Sequence, residues 1–325
     1  MVPTVGLRIS GGQHYVITGD ETGIMGEIAA LSASAVWAMA SIIFSRLGKT
    51  VSALALNWLK CAIALGMMFG VLYILDGRLW PHSLSAEETA LLATSGLVGL
   101  AIGDTAFFGA LNRLGARRTL LFAALAPPMT AVLAVPVLGE PLGAPLIVGM
   151  ALTMGGVVWV ISERHNDGTH SLHDEQGQMT PSMKAGIAFA ITAAFCQALG
   201  NVLTKLGGSQ ISALEISIVR LAFGVMGLTL FLSFTGRMMS TWTTMKKPRT
   251  AFLVVSATFL GTFLGLWLVN AGLLYTYVGV ASTLASTSPI FILPLAYLFD
   301  GERLTLRSVG GACVAVLGVA VLFLW

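Results

Sequence analysis

Residues 126–142 read APPMTAVLAVPVLGEPL, four prolines and one acid in otherwise apolar sequence. Residues 288–304, SPIFILPLAYLFDGERL, return to it without a gap at an offset of 162. Pro127/Pro289, Leu133/Leu295, Ala134/Ala296, Gly139/Gly301, Glu140/Glu302 and Leu142/Leu304 coincide, six identities in seventeen. The same offset lays Gly99 and Gly103 on Gly261 and Gly265, and Gly149 and Gly156 on Gly311 and Gly318. Slightly different offsets align Arg46-Leu47-Gly48 with Lys205-Leu206-Gly207 and Lys60 with Arg220. The chain is therefore a duplication that spans most of both halves.

Composition says where the duplicated unit lives. Of 325 residues, 56% are hydrophobic and only 10% charged, with a mean hydropathy of +0.85. A soluble chain carries roughly 25% charged residues, and nothing here could coat a water-facing surface of this size. The chain is an integral membrane protein whose first partner is the lipid bilayer, and its net charge of +3 gives no reason to expect nucleic acid. Cys61, Cys196 and Cys313 all fall in apolar segments, too few and too deep for a disulfide framework or a zinc spacing, so they read as packing residues and no metal or cofactor is expected. Residues 1–25 form a tail without the basic-flanked apolar core and cleavage site of a signal peptide. Membrane-like sequence sets in abruptly at Gly26, which makes Met25 a candidate start.

A membrane-spanning helix needs about 20 mostly apolar residues. Ten such segments are present, at 26–47, 53–75, 88–112, 114–138, 142–162, 184–206, 213–235, 250–276, 279–299 and 304–325. None alternates apolar and polar residues as a barrel strand would. The fold class is all-α, with ten transmembrane helices. One sizeable polar stretch, the linker 163–183 (ERHNDGTHSLHDEQGQMTPSM), divides them into repeats at 26–162 and 184–325. Its three histidines beside acids raise the question of metal, but a solvated linker accounts for them.

Five helices per unit, an odd number, force the second copy to enter the membrane from the opposite side. Charge agrees. Arg46, Lys49, Arg113, Arg117, Arg118, Arg237, Lys246, Lys247, Arg249, Arg303 and Arg307 share one face only if the two halves are inverted, and the opposite loops then hold little beyond Arg78 and Lys205. Cytoplasmic loops carry the Lys/Arg excess. The expectation is a multi-pass protein of the cell (inner or plasma) membrane with both termini on the outer face.

Inverted repeats characterise secondary transporters, which work around a site near the midplane. The segment GDTAFFGALNRLGARRTLLFAALAP (103–127), leading through LGEPL (138–142), and its counterpart STLASTSPIFILPLAYLFDGERL (282–304) resemble the EamA family of the drug/metabolite transporter superfamily. The resemblance covers residues 26 to 325. It implies an exporter or exchanger of small metabolites such as amino acids, with a central cavity lined from both halves. A small-molecule substrate is then the partner, together with a proton or a counter-substrate.

Candidate site residues follow from the cost of polarity in lipid. Lys60, Asp104 and Arg220 lie inside apolar helices, where an ionisable group must be paired or watered and reads as functional by default. Counting from the basic face, Lys60 and Asp104 both lie ~12 Å deep at 1.5 Å per residue, so they can form an ion pair. Asp104 is either a proton-coupling carboxylate or half of a permanent structural pair. Leu266 stands where the acid matching Arg220 would be. Arg220 then either faces a cavity, where a guanidinium suits a substrate carboxylate or phosphate, or snorkels to the nearer face. Asn57, Asn112, Gln197, Asn201, Asn270, Tyr275 and Tyr277 lie at comparable depth, each lining a cavity or bonding a neighbouring helix. Trp37 offers an aromatic wall to an apolar substrate or faces lipid.

Proline inside a helix removes a donor and clashes with the preceding turn, so Pro127 and Pro289, matched across the repeats, are candidate hinges for alternating access. Glu140 and Glu302 read as caps of the helix that follows each, and the paired glycines as close helix contacts. Small multidrug exporters of the superfamily rely on a carboxylate within helix one, and here only Glu27 stands at its edge. Multidrug efflux remains an alternative, and so does a membrane-embedded enzyme. The enzyme would need clustered His, Asp or Ser-His groups, whereas all five histidines lie outside the helices.

Overall fold

A computed structural model of the chain describes residues 6–8, 14–16, 19–48, 50–81, 84–114, 119, 122–162, 181–208, 211–238, 241, 245, 247–288, 290–291 and 306–323. The tail contains a small antiparallel hairpin, β1 (Gly6–Arg8) with β2 (His14–Val16). The membrane helices are α1 (Gly19–Leu47), α2 (Ala53–Asp76), α3 (Ala86–Leu114), α4 (Ala126–Leu138), α5 (Ala144–Ser162), α6 (Pro181–Gly207), α7 (Ala213–Phe234), α8 (Pro248–Tyr275), α9 (Val278–Ala285) and α10 (Leu306–Phe323). Six of them, α1, α2, α3, α6, α7 and α8, are long and apolar enough to cross a bilayer alone. Residues 163–180 of the linker, the expected hinge Pro289 and the expected cap Glu302 lie outside the described residues.

Helix ends are set by local chemistry. Ser85 with Glu88, and Ser212 with Glu215, form capping boxes that open α3 and α7. Gly77 and Gly139 close α2 and α4 in the left-handed region, at φ 67° and 68°, where only glycine is unstrained. Pro127 and Pro128 differ from expectation. They do not bend a continuous helix; the chain turns at 124–125 and these prolines occupy the first turn of α4, where a missing N–H costs nothing. Pro136 is the proline inside α4.

Hydropathy did not disclose that α3 and α8 each contain a π-helical stretch, Gly96–Gly103 and Thr258–Leu264. They are equivalents at the 162 offset, so the distortion was duplicated with the unit. π segments gather at functional sites.

Contacts between the halves are matched in pairs. α5 lies along α10, α2 along α7 and α4 against α9, while α3 packs on α6 as α8 packs on α1. Small residues allow this closeness: a Cβ at Gly156 would collide with the Ala315 backbone and the Gly311 carbonyl of α10. One end of the bundle collects Gly26 of α1 against Tyr275 and Thr276, Glu140 after α4, and Lys205 near the end of α6. Arg78 after α2 meets Glu215 at the start of α7, at 3.1 Å. At the other end Phe44, Leu47 and Val51 cluster with Met245 and Val254, and Gly186 of α6 meets Leu114 of α3. α1 and α6 thus begin at opposite ends, and the two five-helix units run through the membrane in opposite senses.

Cysteine burial is mixed. Cys61 and Cys196 are buried, as packing residues should be, but Cys313 is exposed on the outer side of α10. Helix contact at glycine yields a direct expectation. Gly156→Val should lower thermal stability in detergent by roughly 1–3 kcal/mol, the usual cost of overpacking. Gly155→Val, one residue away with nothing within 4 Å, should leave the unfolding temperature unchanged.

Candidate functional site

A central cavity of about 240 Å³ lies between the halves, lined from both by Trp37, Lys60, Asp104, Gln197, Arg220 and Ser282 among many alanines. Its size falls just below the ~300–1,000 Å³ of drug-sized sites and suits a small molecule.

The π stretch of α3 delivers Asp104. The Asp104 amide donates to the Gly99 carbonyl across the wider turn. Asn57 of α2 donates to the Leu100 carbonyl at 2.9 Å and to the Thr105 hydroxyl at 3.0 Å, tying α2 to the distorted segment. One turn along α2 from Asn57, Lys60 is 2% exposed and places Nζ 2.5 Å from Asp104 Oδ2. The rings of Trp37 and Phe108 stand 6.0 and 5.6 Å from the ammonium, within cation–π range. Trp37 lines the cavity, so its aromatic face belongs to the site and not to lipid.

Arg220 holds the equivalent place in the second half under different terms. It is 1% exposed and lines the cavity, which excludes snorkelling to a membrane face. Its Nη1 donates to Asn270 Oδ1 at 2.6 Å, and Asn270 Nδ2 donates to Ser217 Oγ at 2.7 Å. Nε has no hydrogen-bond partner among the described residues. Gly96 and Gly99 make room for it: a Cβ on Gly96 would overlap the Arg220 backbone, and one on Gly99 would come 3.3 Å from Nη2. Leu266, at the acid's equivalent position, also lines the cavity. Among the described lining residues the charged groups are Lys60, Asp104 and Arg220, two cations and one acid.

Asn270 and Asn57 stand behind the lining, supporting the charged residues. Tyr275 sits at the end of α8 against Gly26, away from the cavity, and Pro127 is buried beside the lining residue Ala126. Gln197 donates to Asn201 at 3.0 Å, and Asn201 to Ser282 at 3.4 Å, so this polar cluster joins α6 to α9.

One turn beyond Asn201, about 6 Å along α6, is a group that sequence reasoning missed. Lys205 Nζ lies 2.8 Å from Glu140 Oε1 and also donates to the Thr276 carbonyl. Glu140 Oε2 accepts from the Val278 amide at 2.9 Å. Glu140 therefore caps α9, in the other half of the protein, and not the α5 helix that follows it in sequence. The pair lies beyond the cavity-lining Asn201, at the end poor in basic residues. Its signal was present in the repeat alignment, where Glu140 pairs with Glu302 and Lys205 with Arg46.

Two inverted helical units around a central chamber are the architecture of a membrane transporter. The chain matches the EamA-like transporter family over residues 24–162 and 184–324, and it belongs to that family, within the drug/metabolite transporter superfamily. It is a transporter and not an enzyme. An uncharacterized transporter from Archaeoglobus fulgidus is 25% identical over 305 residues, 91% of this chain and 97% of that protein. A crystal structure at 16% identity superposes on 91% of this chain and 95% of its own with a TM-score of 0.69, a likeness of fold.

Removing one partner of a buried ion pair strands the other. Asp104→Asn should cost about 3–5 kcal/mol, whereas Lys60→Met with Asp104→Leu should recover most of it. Unfolding of the purified single and double variants in detergent checks both.

Proposed function

We propose that this protein is a secondary carrier that exports or exchanges a small metabolite, such as an amino acid or a related compound, across the cell membrane by alternating access to the central cavity. The observation that carries the reading is the Glu140–Lys205 pair. It joins the ends of α4 and α6 to the α8–α9 junction, one turn along α6 from the cavity-lining Asn201, and in this reading it is the closure at that face. Opening that face requires the pair and the Val278 cap to separate together.

Duplication supplies the matching device. Glu302 and Arg46 are the repeat equivalents of Glu140 and Lys205, and inversion assigns them to the opposite face. A carrier needs two closures that alternate, and a single duplicated latch provides both. Pro127, just after the turn at 124–125 that opens α4, is the candidate hinge in this half, and Pro289 is its repeat equivalent in sequence. By the distribution of Lys and Arg the Glu302 face is cytoplasmic and the termini lie outside, with repeats at 26–162 and 184–325. The Lys60–Asp104 pair holds α2 to α3 in the conformation described, and its separation is the step at which a proton would couple.

Access from both sides tests this without knowledge of the substrate. Gln197→Cys, in a chain freed of Cys61, Cys196 and Cys313, should react with an impermeant thiol reagent applied to either face of oriented membrane vesicles. Reaction from the Glu140 face should rise severalfold when Lys205→Gln is added. Reaction from one face alone, in both backgrounds, would remove the carrier reading.

A further inference from the structure

We infer that the cavity binds the carboxylate of a small, mostly apolar organic anion, with the Arg220 guanidinium as its anchor. This rests on the carrier reading and names the substrate class of the same chamber. The two halves treat their buried cations differently. In the first, Lys60 is neutralised by Asp104 at 2.5 Å. In the second the equivalent acid is absent, Leu266 stands in its place, and the partner of Arg220 is the neutral amide of Asn270.

Asp104 carries one negative charge against two cations, and among the described residues its ion pair is with Lys60. The described lining therefore carries an excess positive charge on a residue that is 1% exposed. An uncompensated charge at this depth is expensive, and a monoanionic ligand removes the expense where the protein does not. Asn270 occupies Nη1, while Nε lacks a hydrogen-bond partner among the described residues. A planar guanidinium with donors to spare is complementary to a carboxylate. A phosphate dianion would overshoot the single excess charge, and an organic cation would meet repulsion.

The remaining walls describe the rest of the ligand. Trp37, Phe107, Phe108, Val269 and Leu273 line the chamber with alanines, and Gln197, Asn201 and Ser282 offer one polar edge. About 240 Å³ admits one ring or a short branched chain and little more.

The test uses purified full-length protein and a matched series: acetate, butyrate and 3-phenylpropionate, each against its amide and its amine, with phenyl phosphate beside them. The expected result is a saturable rise in unfolding temperature from the acids alone, growing with apolar size. Arg220→Gln should weaken the apparent affinity of 3-phenylpropionate by roughly 10- to 100-fold, the worth of a hydrogen bond to a charged group, and Arg220→Lys by less. Equal shifts from acid and amide, no shift from any acid, or a larger shift from the phosphate would each overturn the proposal. The acid–amide comparison on unaltered protein decides it even where Arg220→Gln does not accumulate. Two-sided labelling of Gln197→Cys with no response to acids keeps the carrier and removes the anion. One-sided labelling with an acid-specific shift does the reverse.

Discussion

In lipid no water is on hand to satisfy a polar group, so each buried charge and each displaced backbone group must find its partner inside the protein. The described architecture answers that constraint. Lys60 requires Asp104; Arg220 requires Asn270 and, through it, Ser217; the π stretch of α3 is held by Asn57; and Glu140 at the bundle end takes up both Lys205 and the Val278 amide. Each of these links joins different helices, and the two made by Glu140 join different halves. Polarity in this chain is what places helices relative to one another, while the apolar residues facing lipid contribute little to that choice.

Inversion turns these links into a chamber. Because α1 and α6 start from opposite ends, the main helix contacts between the halves come in matched pairs among the described residues, and they leave a central space between the two units. The two π stretches sit on either side of it. A π turn takes one extra residue per hydrogen-bonded ring, so it rotates all later side chains by ~100° relative to an α-helix. That rotation turns Asp104 toward α2 and the cavity, and the glycines of the same stretch let α7 come close enough to bring Arg220 to it.

Symmetry supplies the scaffold, and departures from it supply the chemistry. A perfectly duplicated site would hold two ion pairs and be self-neutral. Here one half holds an ion pair and the other a guanidinium against an amide. Glu140, Lys205 and Arg220 have charged repeat equivalents in Glu302, Arg46 and Lys60, whereas Asn270, Trp37 and Gln197 align with Phe108, Cys196 and Ala38.

Sequence alone determined the membrane class, the number of spans, the duplication and its inversion, because hydropathy, charge placement and repeat offset are properties of the chain read in one dimension. It also determined depth, which made the Lys60–Asp104 pair legible: residues equally far from a face along straight helices lie at one level. Rotation about the helix axis is not one-dimensional. Whether Trp37 met lipid or cavity, whether Arg220 turned inward, and that Asn270, one turn past Leu266, was its partner depended on α3 and α8 leaving α-helical register within an apolar run that shows no break. Glu140 was read as the cap of its own next helix because capping is normally local; only the folded bundle brought the α9 amide and Lys205 to it, from 138 residues further along the chain in the first case. Tertiary structure decided those partners, since burial in lipid makes a polar group seek the nearest complement in space and not the nearest in sequence.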